Sequence, residues 1–170
     1  MSRNRLESHT GATLDFTFNG KAYQGIVGDT LASALLANGV DVVGRSFKYA
    51  RPRGIFGHGA EEPNAIIQLG AGAATIPNLK ATQVELYQGL EASSVNGWPS
   101  VDFDVMGIIG AFGRLMPPGF YYKTFMYPKK LWMTYEHFIR KAAGLGATPV
   151  EADPDSYDKL NQHCDVLVVG

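Results

Sequence analysis

Cysteine is almost absent from this sequence, since its 170 residues include one, Cys164. A single thiol excludes an internal disulfide, and it cannot supply the several thiolates that hold an iron–sulfur cluster. Long apolar runs are also missing: no stretch could span a bilayer, and the first residues, MSRNRLESHTG, lack the apolar core of a signal peptide. These absences predict a soluble cytoplasmic protein with no membrane partner.

The sequence also lacks an excess of positive or negative charge, because its formal net charge is −1. A neutral chain with one short basic stretch gives no case for a nucleic-acid partner. His9, His58 and His137 do not have the spacing of metal ligands, so the sequence predicts no metal site.

The first half of the chain predicts a small sheet with one helix. Alternating apolar residues flank Asn19-Gly20, the dipeptide typical of a tight hairpin turn. TLASALLANG (residues 30–39) predicts a helix with Asp29 as its N-cap and Gly39 as its end. AIIQLG (residues 65–70) and TQVELY (residues 82–87) predict two more strands.

Hairpin, helix, long loop and two strands are the element order of an α+β fold, the β-grasp domain, here predicted over residues 14–90. Plant-type ferredoxins share this order and hold a two-iron cluster in the long loop. The corresponding loop here, residues 40–64, contains no cysteine. The sequence therefore predicts a ferredoxin-like domain without a cluster.

A basic segment takes the place of the missing cysteines. Arg45, Lys48, Arg51 and Arg53 lie close together with no acidic residue between them. Arginine forks suit a carboxylate or phosphate, which favours contact with an acidic partner surface, another domain or a cofactor phosphate. The alternative is a loop whose basic residues meet Glu61, Glu62 or solvent.

Residues 91–150 are predicted to form an irregular, aromatic-rich connecting arm with one helix. Nine of the nineteen aromatic residues lie between Phe112 and Phe138. KKLWMTYEHFIRKAAG (residues 129–144) has a helical apolar stripe and ends at a glycine. These aromatics either fill a crevice beside the β-grasp domain or dock onto another domain or subunit. A lipid-surface helix is disfavoured, because its polar face carries few positive charges.

Residues 151–170 are predicted to form an acidic linker and a final strand. Val166 to Val169 form an unbroken apolar run, which is typical of a strand buried on both faces of a parallel sheet. Such a strand needs neighbours for its backbone groups.

Four successive stretches carry a family resemblance. GRSFKYARPRGI, EEPNAI, MPPGFYYKTFMYPKKLW and CDVLVVG, after the hairpin and helix, closely resemble the N-terminal part of the alpha subunits of heterotetrameric sarcosine oxidases. The resemblance implies that the last strand opens a truncated dinucleotide-binding domain, with Gly170 starting its glycine-rich turn as a cofactor contact. It also implies that the chain is a piece of a longer subunit.

The resemblance further implies the chemistry of a whole complex. Sarcosine would be demethylated oxidatively to glycine, giving hydrogen peroxide and either formaldehyde or methylene-tetrahydrofolate. FAD, FMN, NAD and tetrahydrofolate are the implied cofactors, and beta, gamma and delta subunits are the implied partners. None of this chemistry maps onto residues 1–169, so no catalytic residue is assigned. A related amine, proline or opine dehydrogenase and a freestanding β-grasp interaction module are the alternatives.

Overall fold

The computed structural model describes residues 11–47, 49–105, 107, 128–153 and 155–168. Its regular elements follow in chain order: β1 (Thr13–Phe18), β2 (Lys21–Ile26), α1 (Leu31–Ala37), β3 (Gly44–Arg45), β4 (Pro52–Arg53), β5 (Ile66–Leu69), a 3-10 turn (Gly72–Ala74), β6 (Ile76–Lys80), β7 (Leu90–Ser94), a second 3-10 turn (Lys129–Leu131) and α2 (Trp132–Ala143).

A mixed five-stranded sheet in the order β2-β1-β7-β5-β6 forms the centre of the fold. β1 pairs antiparallel with β2 but parallel with β7, while β5 pairs antiparallel with both β7 and β6. α1 packs on this sheet, and Leu31 and Leu35 share its core with Phe16, Ile67 and Leu90. The predicted α+β, ferredoxin-like fold is confirmed.

The predicted hairpin is present at its predicted turn. Asn19 and Gly20 both have positive φ, 52° and 75°, as a two-residue turn of the primed type requires. Asn19 also fixes the turn to the sheet, because its side chain accepts a 2.8 Å hydrogen bond from the backbone N–H of Ser94 in β7. The backbone conformations of these two turn residues therefore set the register of β1 against β2.

The helix begins one residue later than predicted. Thr30, not Asp29, is the N-cap: its hydroxyl accepts from the backbone N–H of Ser33, while the Ser33 hydroxyl accepts from the backbone N–H of Thr30. Asp29 is buried and its carboxylate accepts from the backbone N–H of Ile26 and the hydroxyl of Ser33. The helix ends as predicted, with Gly39 at a φ of 75°.

The predicted strand at residues 82–87 is wrong. This segment makes a single bridge, between Glu85 and Thr30, and no ladder. Instead, one of its backbone carbonyls accepts a hydrogen bond from the start of α1: the backbone N–H of Leu31 donates to the carbonyl of Val84 at 2.8 Å. The first amides of a helix have no partner inside the helix, so this segment supplies one.

Two strands that the sequence pattern did not predict complete the sheet. β6 (Ile76–Lys80) is an edge strand, and β7 (Leu90–Ser94) lies between β1 and β5. The start of the predicted irregular connection, residues 91–94, is therefore part of a central strand. The sheet extends past residue 90, where the β-grasp segment was predicted to end.

Beyond the sheet, the predicted helix is confirmed as α2 and ends at Gly144 with a φ of 75°. Its apolar side chains Trp132, Met133 and Phe138 are exposed, as is Leu131 in the 3-10 turn before it. The apolar run at the end of the chain forms no strand within the described residues, and Val166 to Val168 are exposed. Residues 106 and 108–127 of the aromatic arm, together with Val169 and Gly170, lie outside the described residues.

Candidate functional site

Arg45 joins the basic segment to the chain that follows β7. Its guanidinium donates to the backbone carbonyls of Val101 at 2.6 Å, Ala50 at 3.1 Å and Asp102 at 3.0 Å. Three acceptors in different directions suit the fixed fork of an arginine. The Arg45 guanidinium thus holds a turn and a distant segment together, although the sequence had predicted a contact for an external anion.

Asn96 fixes the backbone of Arg45 in the same way that a neighbouring strand would. Its side-chain oxygen accepts from the backbone N–H of Arg45 at 2.8 Å, and its side-chain nitrogen donates to the carbonyl of Arg45 at 2.7 Å. Sequence reasoning missed this residue, since Asn96-Gly97 signals only a turn.

The exposed part of the basic segment consists of Arg51 and Arg53. The guanidinium of Arg51 lies over the ring of Tyr49, 4.8 Å from its centroid. Arg53 donates to the side-chain oxygen of Asn64 at 3.0 Å. Neither arginine pairs with Glu61 or Glu62 in the described part of the loop, and both are exposed to solvent, which was the other part of the predicted alternative. Lys48, the fourth predicted contact residue, lies outside the described residues.

Glu62 is the centre of the loop that follows, residues 54–65. Its side chain is 0% exposed. One carboxylate oxygen accepts from the backbone N–H groups of Phe56 (2.7 Å) and Gly57, and the other from those of Asn64 (2.7 Å) and Ala65 (3.2 Å). These four N–H groups form an amide cage around the carboxylate. Burial raises the pKa of Glu62, but the amide cage outweighs burial and holds that pKa below its ordinary value.

Glu61 is held by a second, exposed set of amides. Its carboxylate accepts from the backbone N–H of His58 at 3.0 Å and of Gly59 at 2.9 Å, and the His58 ring lies 3.4 Å away. Hydrogen bonds from its own backbone amide and from those of His58 and Gly59 lower the pKa of Glu61 to about 2. Sequence reasoning missed this arrangement; the signal that could have indicated it is the pair of glycines, Gly57 and Gly59, just before the two glutamates.

Acid should therefore loosen the 54–65 loop. Both folded-state pKa values lie below the ordinary 4.5, so the stabilising contribution of each carboxylate is complete above pH 4.5 and is lost as the pH falls through its lowered pKa, which for Glu61 is about 2. An NMR titration of the Gly59 amide should show a midpoint near 2, because this amide donates to Glu61. A midpoint at 4.5 would show that Glu61 is free in solution.

A groove of about 740 Å³ lies between the hairpin turn, the chain after α1 and the segment that Arg45 holds. Lys21 and Asp102 form an ion pair of 3.6 Å at its wall, and both side chains are exposed. Tyr23 and Asp41 also line it. The groove carries both signs of charge, and no nucleophile with a neighbouring base occurs among these lining residues.

The comparison with protein families shows which family the chain belongs to. Residues 11–97 match the family described as "2Fe-2S iron-sulfur cluster binding domain". The chain belongs to this family. The matched range covers the whole five-stranded sheet, including β7.

Full-length relatives agree with the resemblance drawn from the sequence. The chain is 58% identical to "Sarcosine oxidase subunit alpha" of Rhizobium meliloti (strain 1021), over 92% of this chain and 16% of that protein. It is 32% identical to the subunit of the same name from Corynebacterium sp. (strain U-96), over 92% of this chain and 12% of that protein. The chain thus spans 16% or less of these two relatives, and it matches the alpha subunits as the sequence predicted.

The crystal structure of L-proline dehydrogenase from P. horikoshii aligns with 61% of this chain and 19% of that chain, with a TM-score of 0.44 and 25% identity.

The 2Fe-2S cluster named in the family description does not fit the residues present. A two-iron cluster needs four ligands, usually cysteine thiolates. Residues 40–64 contain no cysteine, and Cys164 is exposed. Glu62 fills the amide cage in the loop where ferredoxins carry their cluster. No group of three or more metal-ligating side chains occurs among the described residues, and no helix in that part of the chain is long and apolar enough to cross a membrane.

Proposed function

We propose that this chain is the N-terminal docking portion of the alpha subunit of a sarcosine oxidase. The observation that carries the proposal is the 58% identity to a sarcosine oxidase subunit alpha over 92% of the chain. The described residues offer a well-packed sheet and a loop with exposed arginines, and they offer no catalytic pair. Such a segment supports and joins other parts of an enzyme.

The complete complex, in this proposal, oxidises sarcosine to glycine. Oxygen is reduced to hydrogen peroxide, and the methyl carbon leaves as formaldehyde or as methylene-tetrahydrofolate. FAD, FMN, NAD and tetrahydrofolate are bound by the whole complex and not by this segment alone. Gly170 starts the glycine-rich turn of a dinucleotide-binding domain. Beta, gamma and delta subunits are the partners, and the complex is cytoplasmic. The resemblance of the sequence to alpha subunits supports each of these statements.

Substrate assays on the complex that contains this chain test the proposal. Sarcosine should be oxidised with a higher kcat/KM than proline or an opine, with hydrogen peroxide as a product. A preference for proline or an opine would place the chain in a related dehydrogenase. Oxidation of none of the three would favour a freestanding interaction module.

Arg51 and Arg53 are the proposed docking residues. Both are exposed, and the ring of Tyr49 beneath Arg51 restricts one of the two guanidinium groups. Arginine at a desolvated contact is often worth more than 1 kcal/mol, so Arg51→Ser with Arg53→Ser should weaken subunit assembly or flavin retention by about tenfold or more. Analytical ultracentrifugation and flavin absorbance measure the two effects.

Lys130→Ser with Lys159→Ser is the matched control, because it removes two positive charges from exposed residues elsewhere in the chain. It should leave assembly and flavin content unchanged. Equal losses in both double variants would mean that net charge matters and that the basic segment does not dock. No loss in the arginine variant would exclude the contact altogether.

A further inference from the structure

The buried carboxylate of Glu62, in the 54–65 loop, takes part in none of the ion pairs found among the described residues. Those pairs are Lys21–Asp102, His58–Glu61 and Arg140–Glu136, and Glu62 belongs to none of them. A buried carboxylate is costly unless hydrogen bonds satisfy it. The amide cage supplies four such bonds, two to each oxygen. Glu62 and the amide cage therefore depend on each other.

We propose that the Glu62 carboxylate takes the structural place of the iron–sulfur cluster, as the anionic group around which the 54–65 loop is organised. In ferredoxins the loop is tied to a cluster, whose sulfurs accept hydrogen bonds from the surrounding protein. Here one side chain provides the negative charge and the acceptors, and the loop needs no metal. The inference follows from the mismatch between the family's cluster and the residues present, and it does not require the proposed function.

The local backbone fits a carboxylate placed in this way. Gly57 lies where a Cβ would come within 2.9 Å of a carboxylate oxygen of Glu61 and 3.3 Å of the Glu62 Cα. Glycine thus allows the two glutamates to approach the turn. On the other side, Ala65 is 0% exposed and directly precedes β5. The amide cage connects Phe56 and Gly57 to the residue that directly precedes β5.

The cage also reaches the basic segment through one residue. Asn64 donates its backbone N–H to Glu62, and its side-chain oxygen accepts from Arg53. Phe56, another cage residue, is 85% exposed. Glu62 is therefore a positioning residue for Phe56, through its backbone N–H, and for Arg53, through Asn64.

Amide hydrogen exchange in the intact protein tests the proposal. In the wild-type chain the four cage amides, those of Phe56, Gly57, Asn64 and Ala65, should exchange as slowly as the amide of Ile67 in β5. Exchange of the cage amides at the rate of an unprotected loop would overturn the proposal. This measurement needs no variant.

Glu62→Gln sharpens the test. Glutamine keeps the shape, but its amide group faces two N–H donors that it cannot accept from, so exchange at the cage amides should accelerate by about 10- to 100-fold. The β1 amides should be unchanged, which checks the fold. If the variant does not fold, the wild-type measurement decides; if it folds with slow cage exchange, the proposal is wrong.

Glu61→Gln is the matched control, because it is the neighbouring glutamate in the same loop and loses the same charge. Its carboxylate accepts from the amides of His58 and Gly59 and from none of the four cage amides. Acceleration should be confined to the amides of His58, Gly59 and Glu61 itself. Equal acceleration of the cage amides would mean that loop charge, and not the Glu62 cage, sets the order of the loop.

Discussion

Phe16→Ala is expected to lower the free energy of unfolding by about 3–5 kcal/mol, the range found for large-to-small changes in cores. Phe16 is 1% exposed in β1. Its ring stacks on Tyr23 of β2 with centroids 5.7 Å apart, and in the sheet it lies opposite Leu90 of β7. Removal of the ring leaves a cavity where three strands meet. Urea denaturation followed by circular dichroism measures the change.

Phe103→Ala is the control for this prediction. Phe103 is 64% exposed, so the same chemical change should cost less than about 1 kcal/mol. A similar loss in both variants would mean that β1 is not at the centre of the core. The proposed packing of the sheet would then be wrong.

Arg45→Ala is expected to lower the free energy of unfolding by about 2–4 kcal/mol, since it removes hydrogen bonds from a charged donor to three carbonyls. The carbonyls of Val101 and Asp102 would lose their tie to the basic segment. Arg45→Lys should recover only part of the loss, because an ammonium is a compact charge and lacks the planar fork. Exchange at the amides of residues 98–105 should rise together with the loss of stability.

Arg140→Ala is the matched control for Arg45. Arg140 forms an i,i+4 pair with Glu136 on the surface of α2, with Nη2 to Oε1 at 2.6 Å. Exposed pairs of this kind contribute about 0.3–0.5 kcal/mol. A loss at Arg45 no larger than at Arg140 would mean that the three carbonyl contacts do not hold the two segments together.

Local signals in the sequence were sufficient for the hairpin and for both helices. Asn19-Gly20 fixes its turn through backbone conformations that few other residues adopt, and Gly39 and Gly144 end their helices for the same reason. The strands missed by the sequence depend on distant partners instead. β7 (Leu90–Ser94) has few β-branched residues, and it is a strand because β1 and β5 lie on either side of it.

In the segment at residues 82–87 the alternation of apolar and polar residues predicted the buried side chains correctly, but the strand predicted from it was wrong. Val84 and Leu86 alternate with polar residues and are buried, as predicted for a strand. Their backbone groups, however, bond to the region where α1 begins and not to a neighbouring strand. The backbone N–H of Leu31 donates to the carbonyl of Val84, and the backbone N–H of Leu86 donates to the carbonyl of Asp29. Alternation reports which side chains are buried, but it does not identify the partner of the backbone.

The candidate site was predicted in part. The basic segment and the absence of cysteine were visible in the sequence. The structure divides the described basic residues into the half-buried Arg45, which is bonded to three carbonyls, and the exposed pair Arg51 and Arg53. The role of Glu62 was not predictable, because an acidic pair next to a basic segment suggests a salt bridge. Only the fold brings the four cage amides together around that side chain.

The iron and sulfide content of the protein, purified anaerobically and again after reconstitution with iron and sulfide, is the most direct test of the central claim that a carboxylate organises this loop in place of a cluster. The account predicts no stoichiometric iron, no visible absorbance from a cluster and slow exchange at the cage amides in both samples. Two iron atoms and two sulfides bound per chain, as in the 2Fe-2S cluster of the family description, would contradict it.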